Sequence, residues 1–447
     1  MWKDTDGRPI FPPLTHAAWE EMARKSMKGT ELEFMGHTSV EGLQMPWRSE
    51  PISGPVRGLP ERHARGEGEA VWAAQIQQTF TAPESLMQGL MHGVEGVRIP
   101  EPQQREPGLV RMLEGVHLEM VAVHLDGFEA TGSLRSLVAL ADGRAITGSC
   151  TRDVMRGGID GERLALHVEA WGAALPAFQT WGVDIAPWID SGMTPVRALG
   201  AAFAALDDAA NALEKGGIPL SEAARRCTIR WGVDSELMAQ ASLLRAIRWL
   251  WKRWLEERGE TPCPVWIEAR TTSLRHVWAP AEDNLLRTTA ATWAACIGGA
   301  DGVETLPHDH RQIAAQPALS TGIAAENARR YARNISHLLR EESGLHRVWD
   351  PLQGSHHAEA WSLLWEERAW EVFQTYRARG GWQKACEQGF VGEQLRASRK
   401  DLSHSSQFLP ADSALPPDAS VGGEVPEKAP WFLADTLLHS RDTFVPR

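Results

Sequence analysis

The chain has 447 residues, 43% hydrophobic and 23% charged, with a formal net charge of −12. This is the composition of an ordinary soluble globular protein with room for one large domain and appendages, and its negative balance argues against nucleic acid as a main partner. No apolar run reaches the ~20 residues of a membrane helix, and the opening MWKDTDGRPIF has no apolar signal core, so the expectation is a cytoplasmic protein. Five cysteines, an odd number with no C-x-x-C, read as reduced thiols rather than a disulfide framework or zinc site. The 20 tryptophans imply large apolar side chains in a core or interface.

In chain order, a proline-marked entry (Phe11-Pro12-Pro13) precedes Thr15, placed to cap a helix ended by Lys28-Gly29. Residues 31–68 are turn-rich, and RHARGEGEA reads as an exposed connector. From Val71 the pattern alternates between short strands and amphipathic helices. It predicts strands near 72–76, 96–99, 119–124, 145–149, 178–183, 227–232, 265–269 and 302–306. Thr194-Pro195 supplies an N-cap and a first-turn proline. Val196, Leu199, Phe203, Leu206, Ala210 and Leu213 then recur at helical steps, and Gly216-Gly217 stops them. A second helix is expected over Ser235–Arg258, and a third around Ala358–Arg379. After Arg399 the Ser/Pro/Asp-rich sequence loses periodicity and reads as a loose tail. Trp431, Phe432, Leu433, Leu437 and Leu438 in it are apolar enough to dock.

The stretch Val265–His310 organises this pattern: an apolar run, a polar loop, an Ala/Thr-rich helix over Leu285–Ile297 stopped by Gly298-Gly299, and a second apolar unit, Gly302–Leu306. That is one βα repeat. Repeated so often, it leaves a (β/α)8 barrel or a doubly wound sheet. The absence of G-x-G-x-x-G and Walker strings removes the usual support for a nucleotide-binding sheet. In a barrel, chemistry sits on the loops after the strands, here Arg270–Ser273 and Pro307–His310.

Three segments resemble the cobalamin-dependent acyl-CoA mutases, the methylmalonyl-CoA mutase family, across roughly residues 10–400. FPPLTHAAWEEMARKSMKG is similar to the family's N-terminal arm. EDNLLRTTAATWAACIGGADGVETLPHD resembles its "N-x-x-R-x-T … GG … LP" segment. ENARRYARNISHLLREESGLHRVWDPLQGSHHAEA resembles "ARIARNTQ … EE … DP-x-GGS-x-x-x-E". Asn284, Arg287, Gly298, Gly299, Arg333, Asn334, Asp350, Pro351, Gly354, Ser355 and Glu359 match. The resemblance implies a (β/α)8 TIM barrel through which coenzyme A threads, and a separate flavodoxin-like domain holding adenosylcobalamin. The expected division is an N-terminal helical and extended arm at 1–68, the barrel at 69–398 and an irregular Pro/Ser-rich tail at 399–447.

The departures narrow the function. The cobalt-ligating D-x-H-x-x-G string is absent from the sequence. Where the family has G-Y-H-x-R-E-A-G, this chain has Ile185–Gly192, which puts Ala186 and Pro187 at the Tyr and His positions. Thr151-Arg152-Asp153 keeps only the Asp of "Q-N-D", Arg226-Cys227-Thr228 nearly keeps "R-L-S", and Arg270-Thr271-Thr272 replaces "Q-T-S". Neither Ala186 nor Pro187 can polarise a thioester carbonyl, and the bulk of Trp188 would fill the cavity. The closest fit is the small, non-catalytic subunit. It would pair with a large catalytic mutase subunit that carries the cobalamin domain, so the cofactor would be borne by the partner. The alternatives are a substrate-binding subunit completed by a separate cobalamin protein, or a stand-alone acyl-CoA-binding scaffold.

Candidate coenzyme A contacts are Arg226, Thr228, Arg270, Thr272 and Arg287, since arginine suits bidentate phosphate contacts. The competing reading has Arg287 paired with an acid in the barrel wall. Ser149, Thr151 and Thr180 at strand ends would leave room along the axis or satisfy loop backbone. His308-Asp309-His310 has the i, i+2 spacing of a metal pair but lacks further ligands, and reads better as a solvated loop. Glu341-Glu342 and Glu366-Glu367 diverge on helices and read as solvated faces. No catalytic residue or metal ligand is expected in this chain.

Overall fold

A computed structural model describes residues 15–27, 37–39, 42–45, 57–60, 74–104, 107–126, 131–156, 159–316 and 322–404. The expected connector and the apolar cluster at 431–438 lie outside the described residues, as does the tail beyond His404, but its first residues, 399–404, are not irregular: they continue the helix Phe390–His404. Eight parallel strands close into a barrel. They are β1 (Gln75–Thr79), β2 (Gly96–Ile99), β3 (Ala122–Asp126), β4 (Gly148–Asp153), β5 (Phe178–Asp184), β6 (Cys227–Val233), β7 (Trp266–Thr271) and β8 (Gly302–Glu304). Strand β8 pairs with both β7 and β1, which completes the ring. This is the (β/α)8 architecture. The doubly wound sheet is excluded, because it would leave two free edges.

Every expected strand is present, but three stand about three residues further along than the apolar pattern places them: β1, β3 and β4. The cause is their content. Gln75, Gln77, His124 and Asp126 are inside β1 and β3, whereas a pattern search places polar residues outside strands.

Helix α1 (His16–Ser26) lies in the arm and is capped by Thr15, whose hydroxyl accepts from Ala18 N at 3.3 Å. Five long helices form the outer layer around β5–β8: α2 (Pro195–Lys215), α3 (Leu237–Glu257), α4 (Asn284–Ile297), α5 (Gly322–His337) and α6 (His356–Ala378), and α7 (Phe390–His404) follows. Helix α6 crosses both α2 and α3. Gly200 permits the approach to α2, since a Cβ there would stand 2.4 Å from Val372 Cγ1. Ser362 Oγ donates to Ser242 O across the α3 contact at 3.0 Å. Thr194 occupies the N-cap position of α2, but its hydroxyl makes no capping bond and meets Ser398 Oγ on α7 at 3.2 Å. Tertiary packing has taken the cap's hydroxyl. Glu366 departs from its expected solvated role too: it is buried and accepts from Arg57 Nη2 at 2.8 Å.

The core has two clusters. The larger joins β5–β8 to α2, α3, α4 and α6, and the smaller lies behind β1–β4. All five cysteines are free thiols, with Cys150, Cys227 and Cys296 buried.

Candidate functional site

The strands alternate between an apolar face toward the helices and a polar face toward the axis. The polar residues converge on one another. Arg98 (β2) pairs with Asp126 (β3) and, across the axis, with Glu268 (β7). Arg230 (β6) pairs with Glu304 (β8), and with Asp184 (β5) at 3.0 Å. His124 (β3) stands 3.2 Å from Glu268, 2.9 Å from Ser149 Oγ and 2.8 Å from Gln75 Oε1. Thr79 Oγ1 donates to Glu304. Glycines make room for this filling: a Cβ at Gly302 would sit 2.3 Å from Gln77 Nε2, and one at Gly96 2.6 Å from Gln75 Oε1. The barrel axis is therefore packed, with large polar side chains laid over glycines.

Electrostatics follow from mutual neutralisation. Burial opposes a charge on Glu268, but Arg98, His124 and Arg230 outweigh it and hold the carboxyl far below its ordinary range. Glu304 is likewise buried, yet Arg230, Arg98 and Arg270 keep its pKa low. Arg230 is driven well above the usual arginine value by Asp184, Glu304 and Asp126 despite burial. Such pairs are strong only as pairs, because a buried charge left alone has lost its water and gained nothing.

The mouth at the C-terminal ends of the strands is also occupied. Asp190, at the end of the short helix Ala186–Asp190, pairs with Arg270 and accepts from Ser273 N at 3.0 Å. Arg270 stands where the mutase resemblance has Gln, so a departure in one motif is held by the segment that departs in the other. Trp188 does not fill the cavity. It points into the helix layer and meets Trp382 edge-on, ring centres 5.9 Å apart. Asp153 accepts from Met155 N at 3.0 Å and Asp184 N at 3.2 Å, and burial together with Asp184 raises its carboxyl to about 7.

The loop after β8 is clamped rather than solvated. Asn284 Nδ2 donates to His308 O at 3.0 Å, Arg311 to His276 O, and Gln312 to Trp278 O. Burial, then His310 and nearby arginines, push His276 down to about 3. Among the described residues no group of three His, Cys, Asp or Glu side chains is placed to hold a metal ion.

The five residues singled out in the sequence do not share one site. Arg226 precedes β6 at the opposite end of the barrel, its guanidinium lying over Gly172 and reaching Pro176 O at 3.4 Å. Thr228 is buried on β6, beside Gly182 in the register. Arg270 and Thr272 are neighbours at the mouth. Thr272 presses its methyl on Gly232, 2.8 Å from where a Cβ would be. Arg287 lies on α4 and reaches Asp283 O at 3.3 Å and Asn284 Oδ1 at 3.4 Å. Missed from the sequence were Arg98, His124, Asp126, Arg230, Glu268 and Glu304. Their signal was present: charged residues at alternate positions inside otherwise apolar strands.

The family model "Methylmalonyl-CoA mutase" matches residues 163–407, more than half of the chain. The chain belongs to the methylmalonyl-CoA mutase family. It is 29% identical over 91% of its length to a "Methylmalonyl-CoA mutase small subunit" of Streptomyces virginiae, 71% of which is covered. It is 26% identical over 87% of its length to a methylmalonyl-CoA mutase small subunit of Porphyromonas gingivalis, 67% of which is covered. A "Probable methylmalonyl-CoA mutase small subunit" of Mycobacterium bovis matches half of the chain at 34% identity, and 36% of that relative is covered. Within the mutase family fold, the Asp350-Pro351 motif has a structural reason here. Asp350 and Glu359 both hold the buried Arg245 of α3.

Proposed function

We propose that this chain is the barrel subunit of an adenosylcobalamin-dependent acyl-CoA mutase, the non-catalytic partner in a heterodimer whose large subunit binds the acyl-CoA and carries the cofactor. One observation carries the reading: paired charges occupy the axis along which a thioester would thread. Arg98–Glu268 and Arg230–Glu304 would each have to break, and their charges would be left buried. Ala186 and Pro187 add to it, since neither side chain offers a proton donor to a thioester carbonyl.

The described residues do not fit a corrin. Their sheets are the barrel and a two-residue ribbon, and at the mouth above the strands Arg270 is paired with Asp190 and the loop after β8 is tied down by Asn284 and Arg311. The cofactor is accordingly assigned to the partner. The small-subunit names of the relatives support the existence of a partner subunit.

Co-expression with a large mutase subunit tests this. The expected result is an equimolar complex that isomerises acyl-CoA, and no rearranged product from this chain alone when adenosylcobalamin is supplied. Turnover by the purified chain, or a failure to associate, would contradict it.

A further inference from the structure

The carboxylates carried by the barrel strands outnumber the cations that meet them. Arg98 is committed to Asp126 and Glu268, and Arg230 to Asp184 and Glu304. Asp153, the last residue of β4, is left out of this pairing. Its bonds are to two backbone amides, and among the described residues no lysine, arginine or histidine lies within ion-pair distance of it.

Those two amides come from different elements. Met155 N, at 3.0 Å, leads into the loop after β4, and Asp184 N, at 3.2 Å, belongs to the end of β5. Both donate to the same oxygen, Oδ1, so one atom holds the loop to the neighbouring strand, beside the bond from Val154 N to Gly182 O at 3.0 Å. The strand pair is irregular just before this point, its register shifting between Ser149 and Arg152. Oδ2 accepts from neither amide and is the oxygen on which a proton can sit. Asp184 is served differently: Ala186 N donates to its Oδ1 at 3.1 Å and Arg230 Nη1 to its Oδ2 at 3.0 Å, so its charge has a partner. The charged groups facing Asp153 are therefore Asp184 on β5, with Arg230 of β6 on its far side, and the exposed Arg156 on its own loop. On β3 the strand-end acid, Asp126, is held by Arg98. Burial and then Asp184 raise the Asp153 carboxyl to about 7, against the two amides and Arg156, which lower it. Lost hydration and a facing carboxylate both favour the neutral acid.

We propose that Asp153 is a proton-operated latch at the barrel mouth. As the neutral acid it ties the loop after β4 to the end of β5. As the carboxylate it is driven outward, by Asp184 and by its own lost hydration, and the loop is released. The latch does not depend on how the chain pairs or on what it binds.

An acid raised from 3.8 to about 7 on folding adds stability that is full below 3.8 and is lost as pH rises towards 7. Urea unfolding of the full chain is therefore expected to show wild type losing stability relative to Asp153→Asn between about pH 5 and 7, by up to about tenfold in the folding equilibrium constant per pH unit, and running parallel to it above. Asp208 and Glu236, also raised by burial, are present in both proteins and cancel in the comparison. Hydrogen exchange, corrected for the intrinsic rate, is expected to open the segment 153–156 of wild type as pH rises through about 7 and to leave that of Asp153→Asn closed. Carbon-13 titration of the wild-type Asp153 carboxyl needs no variant to fold and is expected to give a midpoint near 7. A midpoint below about 5 would overturn the latch. So would parallel stability curves for the two proteins from pH 5 upward, or a midpoint near 7 with exchange of the segment unchanged across it.

Discussion

Replacing Glu268 with leucine is expected to cost about 3–5 kcal/mol of stability, the usual penalty for leaving a buried charge without its partner. Arg98 would keep only Asp126, which is partly exposed, and His124 would lose its acid. The double variant Arg98→Met with Glu268→Leu is expected to recover most of that loss, since an apolar pair of similar volume is often as stable as the ion pair it replaces. Urea unfolding of the three proteins measures it. A single variant within about 1 kcal/mol of wild type would show that the axis is not held by this pair. The pair also sets an acid limit. Glu268 has a folded pKa far below its ordinary value of 4.5. Its contribution is therefore present above pH 4.5 and lost as pH falls below it. The double variant is expected to lose less stability than wild type on acidification.

The second large effect is expected at Arg245. Its side chain is fully buried, as is that of Asp350, with which it pairs. It also meets Glu359 at 3.1 Å and donates to Arg57 O at 2.8 Å. Asp350 in turn accepts from Leu59 N at 3.1 Å and Leu352 N at 3.2 Å. One guanidinium thus ties α3, the loop before α6 and the arm segment 57–60 together. Arg57 continues the tie, stacking on Trp249 at 3.9 Å. Arg245→Met would leave two carboxylates unpaired in the interior, and a loss of about 3–5 kcal/mol is expected in urea unfolding. A loss below about 1 kcal/mol would mean that the arm is held by other contacts.

Much of the barrel was legible in the sequence. Helix α2 announces itself through Pro195 and apolar residues at steps of three and four. Gly298-Gly299 stops α4 where the chain must turn into β8, with Gly299 at φ +92°. The filled axis was not legible, for two physical reasons. Polar residues at alternate positions usually mean a solvated face, and only closure of the sheet turns that face inward. The partners are also remote in sequence: Arg98 and Glu268 stand 170 residues apart, Arg245 and Asp350 105. Asp350 was visible as part of a motif, whereas Arg245, which gives that motif its reason, sits unmarked on an amphipathic helix. Trp188 shows the same limit. Its size was readable, but its direction depended on Trp382, which arrives from the far end of the chain.

The most direct measurement is calorimetric titration of the purified chain with a coenzyme A thioester such as methylmalonyl-CoA. With Arg98, Arg230, Glu268 and Glu304 committed to one another along the axis, the expected trace is flat, with no saturable heat up to millimolar ligand. The complex with a large subunit is expected to bind through that subunit. Saturable binding by this chain alone, abolished by Arg98→Met with Glu268→Leu, would contradict the reading, because the axis would then be a site for the thioester.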